Sequence, residues 1–174
     1  MQEKFRPHIA NFDIVLANCE RAIKCANIMK LPIIVTEQYP KGLGHTIPEL
    51  KTVLEGKEAL LVEKTKFSMA VDEVNKKLSD LNIASLIVVG IEAHVCVLQT
   101  VLEFLDGDFE INLPVDSISS RSLTDRKYGL KRARDAGAYL TTLESVIFQM
   151  FKDASHPDFK SAQNLFKQIL PPIK

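Results

Sequence analysis

The stretch Gly90-Ile91-Glu92-Ala93-His94-Val95-Cys96 sets a cysteine just past an apolar, β-branched run and at the head of a helical pattern that continues to Leu105. At a helix start the unpaired N–H groups and the positive end of the dipole favour thiolate over thiol. Cys96 is therefore a candidate nucleophile, and the chemistry open to it is attack on a carbonyl carbon. Its position alone fits a small apolar helix residue equally well. The case depends on company, because such an attack needs a base, a cation or donor to hold the geometry, and an oxyanion hole.

Lys64 stands at the end of the strand pattern that precedes the one leading to Cys96. Two successive strand ends can bring Lys64 or Lys66 into one crevice with the thiol, although a solvated loop charge is the commoner use of a lysine there. His94 has the residue type of a base, but residues i and i+2 do not face each other on a helix, so it is expected to line the cleft mouth. Asp116, after the fourth strand pattern, is the best internal acid, and beside Ser119, Ser120, Arg121 and Ser122 it reads more simply as turn and cap chemistry. His156, in Asp153-Ala154-Ser155-His156-Pro157-Asp158, reads as a turn residue. Cys19 and Cys25 lie on one helix, where they cannot close a disulfide, and read as core filler.

The elements that must position these residues follow from periodicity. Apolar positions from Phe12 to Met29 recur at helical steps, with Asn11 as the expected cap. Strands are expected at 31–36, 59–62, 85–90, 109–115 and 139–142, with a loop at 37–45. Helices are expected at 71–78 and 95–105, from Ser122 onward, and in two closing segments marked by Leu143 to Phe151 and Ala162 to Ile169. Strands alternating with helices predict an α/β fold with a parallel sheet covered on both faces, and ligands outside the C-terminal strand ends. The 174 residues suit one domain, 1–174. The chain opens with a helix, where a βαβ series would begin with a strand.

Lys plus Arg and Asp plus Glu both number 22, so nothing in the overall charge draws the chain to nucleic acid or an anionic membrane, and a small-molecule substrate is the expected partner. No apolar run approaches the roughly 18 residues of a membrane span. Three cysteines without a secretory signal point to a reducing compartment. The cytoplasm is expected, with import into an organelle such as the mitochondrion the alternative. A Gly-rich phosphate loop and zinc spacing are both missing from the sequence.

The blocks Met1-Gln2-Glu3-Lys4-Phe5-Arg6, Val35-Thr36-Glu37-Gln38-Tyr39-Pro40-Lys41-Gly42-Leu43-Gly44, Lys64-Thr65-Lys66-Phe67-Ser68-Met69, Gly90 to Cys96, Ser119-Ser120-Arg121-Ser122 and His156-Pro157-Asp158-Phe159-Lys160 cover nearly the whole chain in order. Together they resemble the isochorismatase-like hydrolases, and within them the eukaryotic isochorismatase domain-containing proteins. The resemblance implies a Rossmann-like three-layer αβα fold and an Asp, Lys, Cys triad. Cys96 matches the nucleophile and Lys64 the lysine. It also implies a cis peptide at Ile91–Glu92, with the N–H groups of Glu92 and Cys96 forming the oxyanion hole, and substrate contacts from Gln38, Phe67 and His94. The triad aspartate of the relatives directly precedes the Met-Gln-Glu-Lys-Phe block, at the end of a central first strand. Here that block begins at Met1, so the first strand and its aspartate are expected to be missing and the domain N-terminally incomplete.

The nicotinamidase branch binds a metal through an Asp-x-His loop. The corresponding Glu37-Gln38-Tyr39-Pro40 has no histidine before His45, so no metal and no other cofactor is expected. A cysteine in place of the non-cysteine residue of isochorismatases proper implies cleavage of a small amide or related C–N substrate. The alternative is a catalytically inactive member that acts as a protein-interaction or dimerising module. Homo-oligomers are common in the family, so one is possible here.

Overall fold

The computed structural model describes residues 1–173. After a 3-10 turn at Glu3–His8, apolar side chains at helical spacing form α1 (Phe12–Ile28), which buries Phe12, Val15, Leu16, Cys19 and Cys25. Asn11 does not cap it through its side chain as expected; it adopts a left-handed conformation (φ 56°), and its carbonyl takes the first helical bonds, from Ile14 and Val15. Then come β1 (Ile33–Gln38), α2 (Pro40–Leu43), α3 (Pro48–Leu54), β2 (Ala59–Lys64) and α4 (Asp72–Asp80). Strand β1 starts two residues later than the pattern suggested, because Pro32 has no N–H to give a ladder.

The expected strand at 85–90 divides into β3 (Ser85–Ile87) and β4 (Gly90–Ile91). Gly90, at φ 118°, bends the chain in a way that a side chain would resist, and β4 leaves the line of β3 to pair elsewhere. The remaining elements are α5 (Leu98–Asp106), β5 (Glu110–Pro114), β6 (Ile118–Ser119), α6 (Leu123–Asp135), β7 (Tyr139–Thr141), α7 (Leu143–Phe151) and α8 (Phe159–Asn164). Ser122 caps α6, its hydroxyl accepting from Asp125 N–H at 3.0 Å. The last helix stops at Asn164, short of the expected Ile169, whose side chain is exposed.

All pairings between these strands are parallel: β1 with β2, β3 with β5 and β5 with β7, and β4 with β6. One hydrophobic cluster joins α4, α5 and α6 to one side of the sheet, through Val74, Val101, Phe104 and Leu130. On the other side α1, α3 and α7 bring Val15, Leu50, Leu143 and Ile147. Helices cover both faces, which gives the three layers of an α/β fold. No described helix is long and apolar enough to cross a membrane.

The sheet is interrupted where the missing first strand was expected. Strands β1 and β3 each have a partner on one side only. Their free edges border a cavity of about 610 Å³ lined by Ile33, Val35, Leu86, Val88 and Val89, with Met1 and Cys96 also on its wall. At the end of the free edge of β1, the side-chain amide of Gln2 acts as a strand residue would. Its Oε1 accepts from Gln38 N–H at 2.9 Å and its Nε2 donates to Gln38 O at 2.9 Å. Burial at this place pushes the pKa of the Met1 amine down.

Glu37 fastens the loop after β1. One carboxylate oxygen accepts from Thr46 N–H at 2.6 Å and the other meets His45 Nδ1 at 2.7 Å, with the side chain 1% exposed. Burial pushes this carboxyl up, yet the bonds from Thr46 and His45 together hold it below its ordinary 4.5. A lowered folded-state pKa gives stability that is present above the unfolded value and lost as pH falls through the folded one. Glu37→Gln is therefore expected to lower stability by about 1–3 kcal/mol at pH 7 and to flatten the fall in Tm between pH 6 and pH 3. Thermal melts across that range check both effects.

Candidate active site

Lys64 ends β2 opposite Gln38 of β1, and both side chains lie on the same face. Its ammonium group is nearly enclosed, the residue being 7% exposed. Nζ donates to Gln38 Oε1 at 2.7 Å, to Lys66 O at 2.9 Å and to Phe67 O at 2.7 Å, so each of its three hydrogens has an oxygen. Burial pushes the Lys64 pKa down and the neighbouring Cys96 pulls it up. Lysine and cysteine from successive strand ends thus share one electrostatic environment, as their order in the chain suggested.

Cys96 lies in a π-helical turn, Ala93–Val97, that leads into α5. The carbonyl of Glu92 takes the first bonds of this turn, from Val95 N–H at 3.1 Å and Val97 N–H at 3.2 Å. The peptide bond between Ile91 and Glu92 is cis, as the family resemblance implied. Burial pushes the Cys96 thiol up; Lys64 and the backbone N–H groups of Glu92 and Cys96 pull it down, and the Glu92 carboxylate pushes it up again. The net direction is upward, which corrects the expectation that the helix start by itself favours thiolate. Desolvation of the sulfur outweighs the dipole here.

Around this pair the supporting contacts are specific. Thr100 Oγ1 donates to Cys96 O at 2.7 Å and accepts from Met69 N–H at 2.9 Å, which joins the loop after β2 to the Cys96 turn. The segment after β6 grips the same turn: Ser120 Oγ lies 3.0 Å from His94 Nδ1, and Arg121 holds the Glu92 carboxylate. Gly129 of α6 lies under the turn, where a Cβ would come within 2.8 Å of Ala93 O and His94 Cα.

The residues expected to touch substrate have mixed surroundings. Gln38 uses its side-chain amide internally, accepting from Lys64 and donating to Thr65 O at 2.7 Å. Phe67 is 51% exposed beside the Lys64 cradle, and His94 is half-buried. Asp116 stays out of the pair and serves as a cap, its Oδ1 accepting from Leu143 N–H at 2.9 Å. His156 remains in its turn, accepting from Asp158 N–H at 3.2 Å. A second cavity, of about 810 Å³, adjoins the site through Glu92 and Arg121 and has Phe5, Pro7, Ile9 and Leu43 on its walls.

Among the described residues one group of metal-type donors comes together, Glu37, His45 and Glu63, with ligand atoms within 4.8 Å of one another. His45, too distant in sequence to suggest a ligand, is folded back onto β1. Glu37 and Glu63 are cross-strand partners one position before Gln38 and Lys64, so they occupy the opposite face of the sheet from the cysteine site. Both Glu37 oxygens already have protein partners, and the group is accounted for as a loop clamp.

Residues 1–145 match the Isochorismatase domain family. The chain belongs to the isochorismatase family. Among similar members, Isochorismatase domain-containing protein 2 of Homo sapiens is 43% identical over 98% of this chain and 82% of its own length. Isochorismatase family protein 1B of Dictyostelium discoideum is 42% identical over 97% of this chain and 83% of its own length. A solved structure described as MAR1 ribonuclease from Caenorhabditis elegans superposes with a TM-score of 0.95 at 43% identity, covering 99% of this chain and 88% of that one. The YcaC gene product of Escherichia coli, with a TM-score of 0.84 over 95% of this chain and 82% of its own, is 21% identical and shares the fold.

Within this isochorismatase-family fold, sequence reasoning had found no role for Gln2, Thr100 or Gly129, and only turn and cap chemistry for Ser120 and Arg121. The block Ser119-Ser120-Arg121-Ser122 was the available signal, since an arginine beside a helix cap has no need of its charge for capping. Gly129→Ala is expected to push the backbone at Ala93 and His94 aside, costing about 1–3 kcal/mol and changing the alkylation rate of Cys96 three residues further on. Denaturant unfolding and site-resolved mass spectrometry read the two effects.

Proposed function

We propose that the chain is a thiol hydrolase scaffold for a small, largely uncharged amide or related C–N substrate, with Cys96 as nucleophile and Lys64 as its electrostatic partner. The observation that carries this reading is the buried Lys64 ammonium, saturated by three oxygens and coupled to a thiol that the backbone N–H groups of Glu92 and Cys96 also face. In the reaction, sulfur attacks the carbonyl carbon and a C–S bond forms as the thiol proton passes to a base. The N–H groups of Glu92 and Cys96 hold the oxyanion. Collapse breaks the C–N bond, the amine leaves with the proton, and water then cleaves the thioester to release the acid and restore the thiol.

The base in this reading is an aspartate carried by a segment ahead of Met1, laid as a strand between the free edges of β1 and β3. The cavity between those edges supports it. The working form is proposed to be cytoplasmic and homo-oligomeric; the E. coli YcaC gene product is described as an octameric hydrolase. A non-catalytic interaction module has one observation in its favour. Among the described residues the carboxylate that acts on Cys96 is Glu92, and Arg121 already holds it.

One comparison separates these readings. A chain extended by a short apolar strand ending in Asp, placed directly before Met1, is expected to cleave small amides and to accumulate an acyl adduct on Cys96 visible by intact mass. Asp→Asn at that position and Cys96→Ser are each expected to lower turnover by at least about 100-fold. An extended chain with no turnover and no adduct across the amide panel favours the interaction module, and equal turnover without the extension rejects the upstream base. RNA, included because the C. elegans protein is named a ribonuclease, is expected to remain intact, given a formal net charge of zero.

A further inference from the structure

We propose that Arg121 is a positioning residue for this site: by holding the Glu92 carboxylate with its guanidinium and its own backbone N–H, it fixes and neutralises an anion on the residue from which the Cys96 turn departs. The proposal rests on the reading of Cys96 as the nucleophile and adds a residue that acts on it through a neighbour.

Three bonds from one residue meet at Glu92. Arg121 N–H donates to Oε2 at 2.8 Å, Nε to Oε2 at 3.2 Å and Nη2 to Oε1 at 3.0 Å. Such a two-pronged grip fixes a carboxylate in direction as well as place. The Glu92 side chain is 8% exposed while that of Arg121 is 66% exposed, so the carboxylate is enclosed and the cation closes it off from the solvent side. Burial pushes the Glu92 carboxyl up, but Arg121, with His94 nearby, draws it below the usual carboxylate range, and it stays anionic at neutral pH.

An anion at this place matters because Glu92 is the residue from which the nucleophile turn departs. Its carbonyl takes the bonds from Val95 and Val97, and its carboxylate opposes formation of the Cys96 thiolate. Among the described residues, the charged groups that act on the ionisation of Cys96 are Lys64 from β2 and Glu92 itself. Those around them are already matched. Lys66 pairs with Glu103 of α5 at 2.5 Å, and Arg126 of α6, the helix packed on the turn, donates to Ile118 O and Val115 O. Without Arg121, Glu92 would present an uncompensated charge to the sulfur in a half-buried setting, where such charges act strongly.

The test is the pH profile of Cys96 alkylation by iodoacetamide, a neutral probe, read by peptide mass spectrometry. Burial pushes the other two thiols up to about 12 at Cys19 and about 11 at Cys25, so they stay silent in the folded chain. Arg121→Gln is expected to slow alkylation at pH 7.5 by about three- to tenfold and to move the profile to higher pH, with Arg121→Lys in between. Adding Glu92→Gln to Arg121→Gln is expected to restore the original rate or exceed it, since the charge that Arg121 offsets is then gone. Circular dichroism melts identify any variant that fails to fold, and Glu92→Gln alone, isosteric with the parent, should then react faster than the parent. An unchanged profile in Arg121→Gln, or a double variant as slow as the single one, overturns the proposal. Absence of an acyl adduct on Cys96 in the chain extended by the strand ending in Asp counts against the nucleophile reading instead, and the order of the variants still decides the role of Arg121.

Discussion

An ammonium group taken out of water must find an oxygen for each hydrogen, and Lys64 meets that condition with three. The condition organises much of the surrounding chain. Two of the oxygens are carbonyls of Lys66 and Phe67, so the loop after β2 has to curl back over its own strand end. The third belongs to Gln38, whose backbone is in turn paired by the Gln2 side chain. A single buried cation thereby ties the first residues of the chain, the end of β1 and the loop after β2 into one unit, and Thr100 links that unit to the Cys96 turn. Replacing any one of these oxygens would leave a donor unpaired in a place water scarcely reaches, a larger penalty than the loss of one ordinary surface bond.

The interrupted sheet sets a second constraint on the same place. Free edges on β1 and β3 present backbone groups to a cavity whose walls are aliphatic, and a parallel sheet is normally closed on such edges. Cys96 is on the wall of this cavity, so whatever occupies it sets how dry the sulfur is. The electrostatic balance at the site is therefore linked to the completeness of the sheet, through desolvation and not through any direct bond.

The fold was legible in the sequence because it depends on near-neighbour patterns. Apolar runs located the strands to within a few residues, whereas the order of two strand ends left Lys64 and Lys66 both open beside Cys96, and only the family resemblance singled out Lys64. What was not legible depended on long-range geometry. The π-helical turn at Ala93–Val97 has the same apolar spacing as an ordinary helix start, so the pattern alone could not reveal that Cys96 is held away from α-helical geometry. His45 returns to Glu37 across a loop whose path no local periodicity records. Asp116 read as turn and cap chemistry, but nothing local recorded that the N–H it accepts from belongs to Leu143 at the start of α7, 27 positions away. The upward direction at Cys96 was missed for a related reason, since depth of burial is a property of the packed chain.

Lys64 and Cys96 are both pushed toward their neutral forms by burial, the amine downward and the thiol upward. Each pulls the other back toward charge, so the two ionisations are linked. Neighbouring charges act on both. The backbone N–H groups at Glu92 and Cys96 tilt the thiol toward thiolate and the Glu92 carboxylate tilts it away, with Arg121 limiting that effect. A carboxylate placed beside both groups would act differently from Glu92 as long as it could exchange a proton with the sulfur. It would support the ammonium while anionic and relieve its own desolvation by taking the thiol proton, so that the net charge of the site stays constant as the nucleophile forms. Charge conservation of this kind is what a half-buried site requires, because any step that changed its total charge would meet the full desolvation penalty.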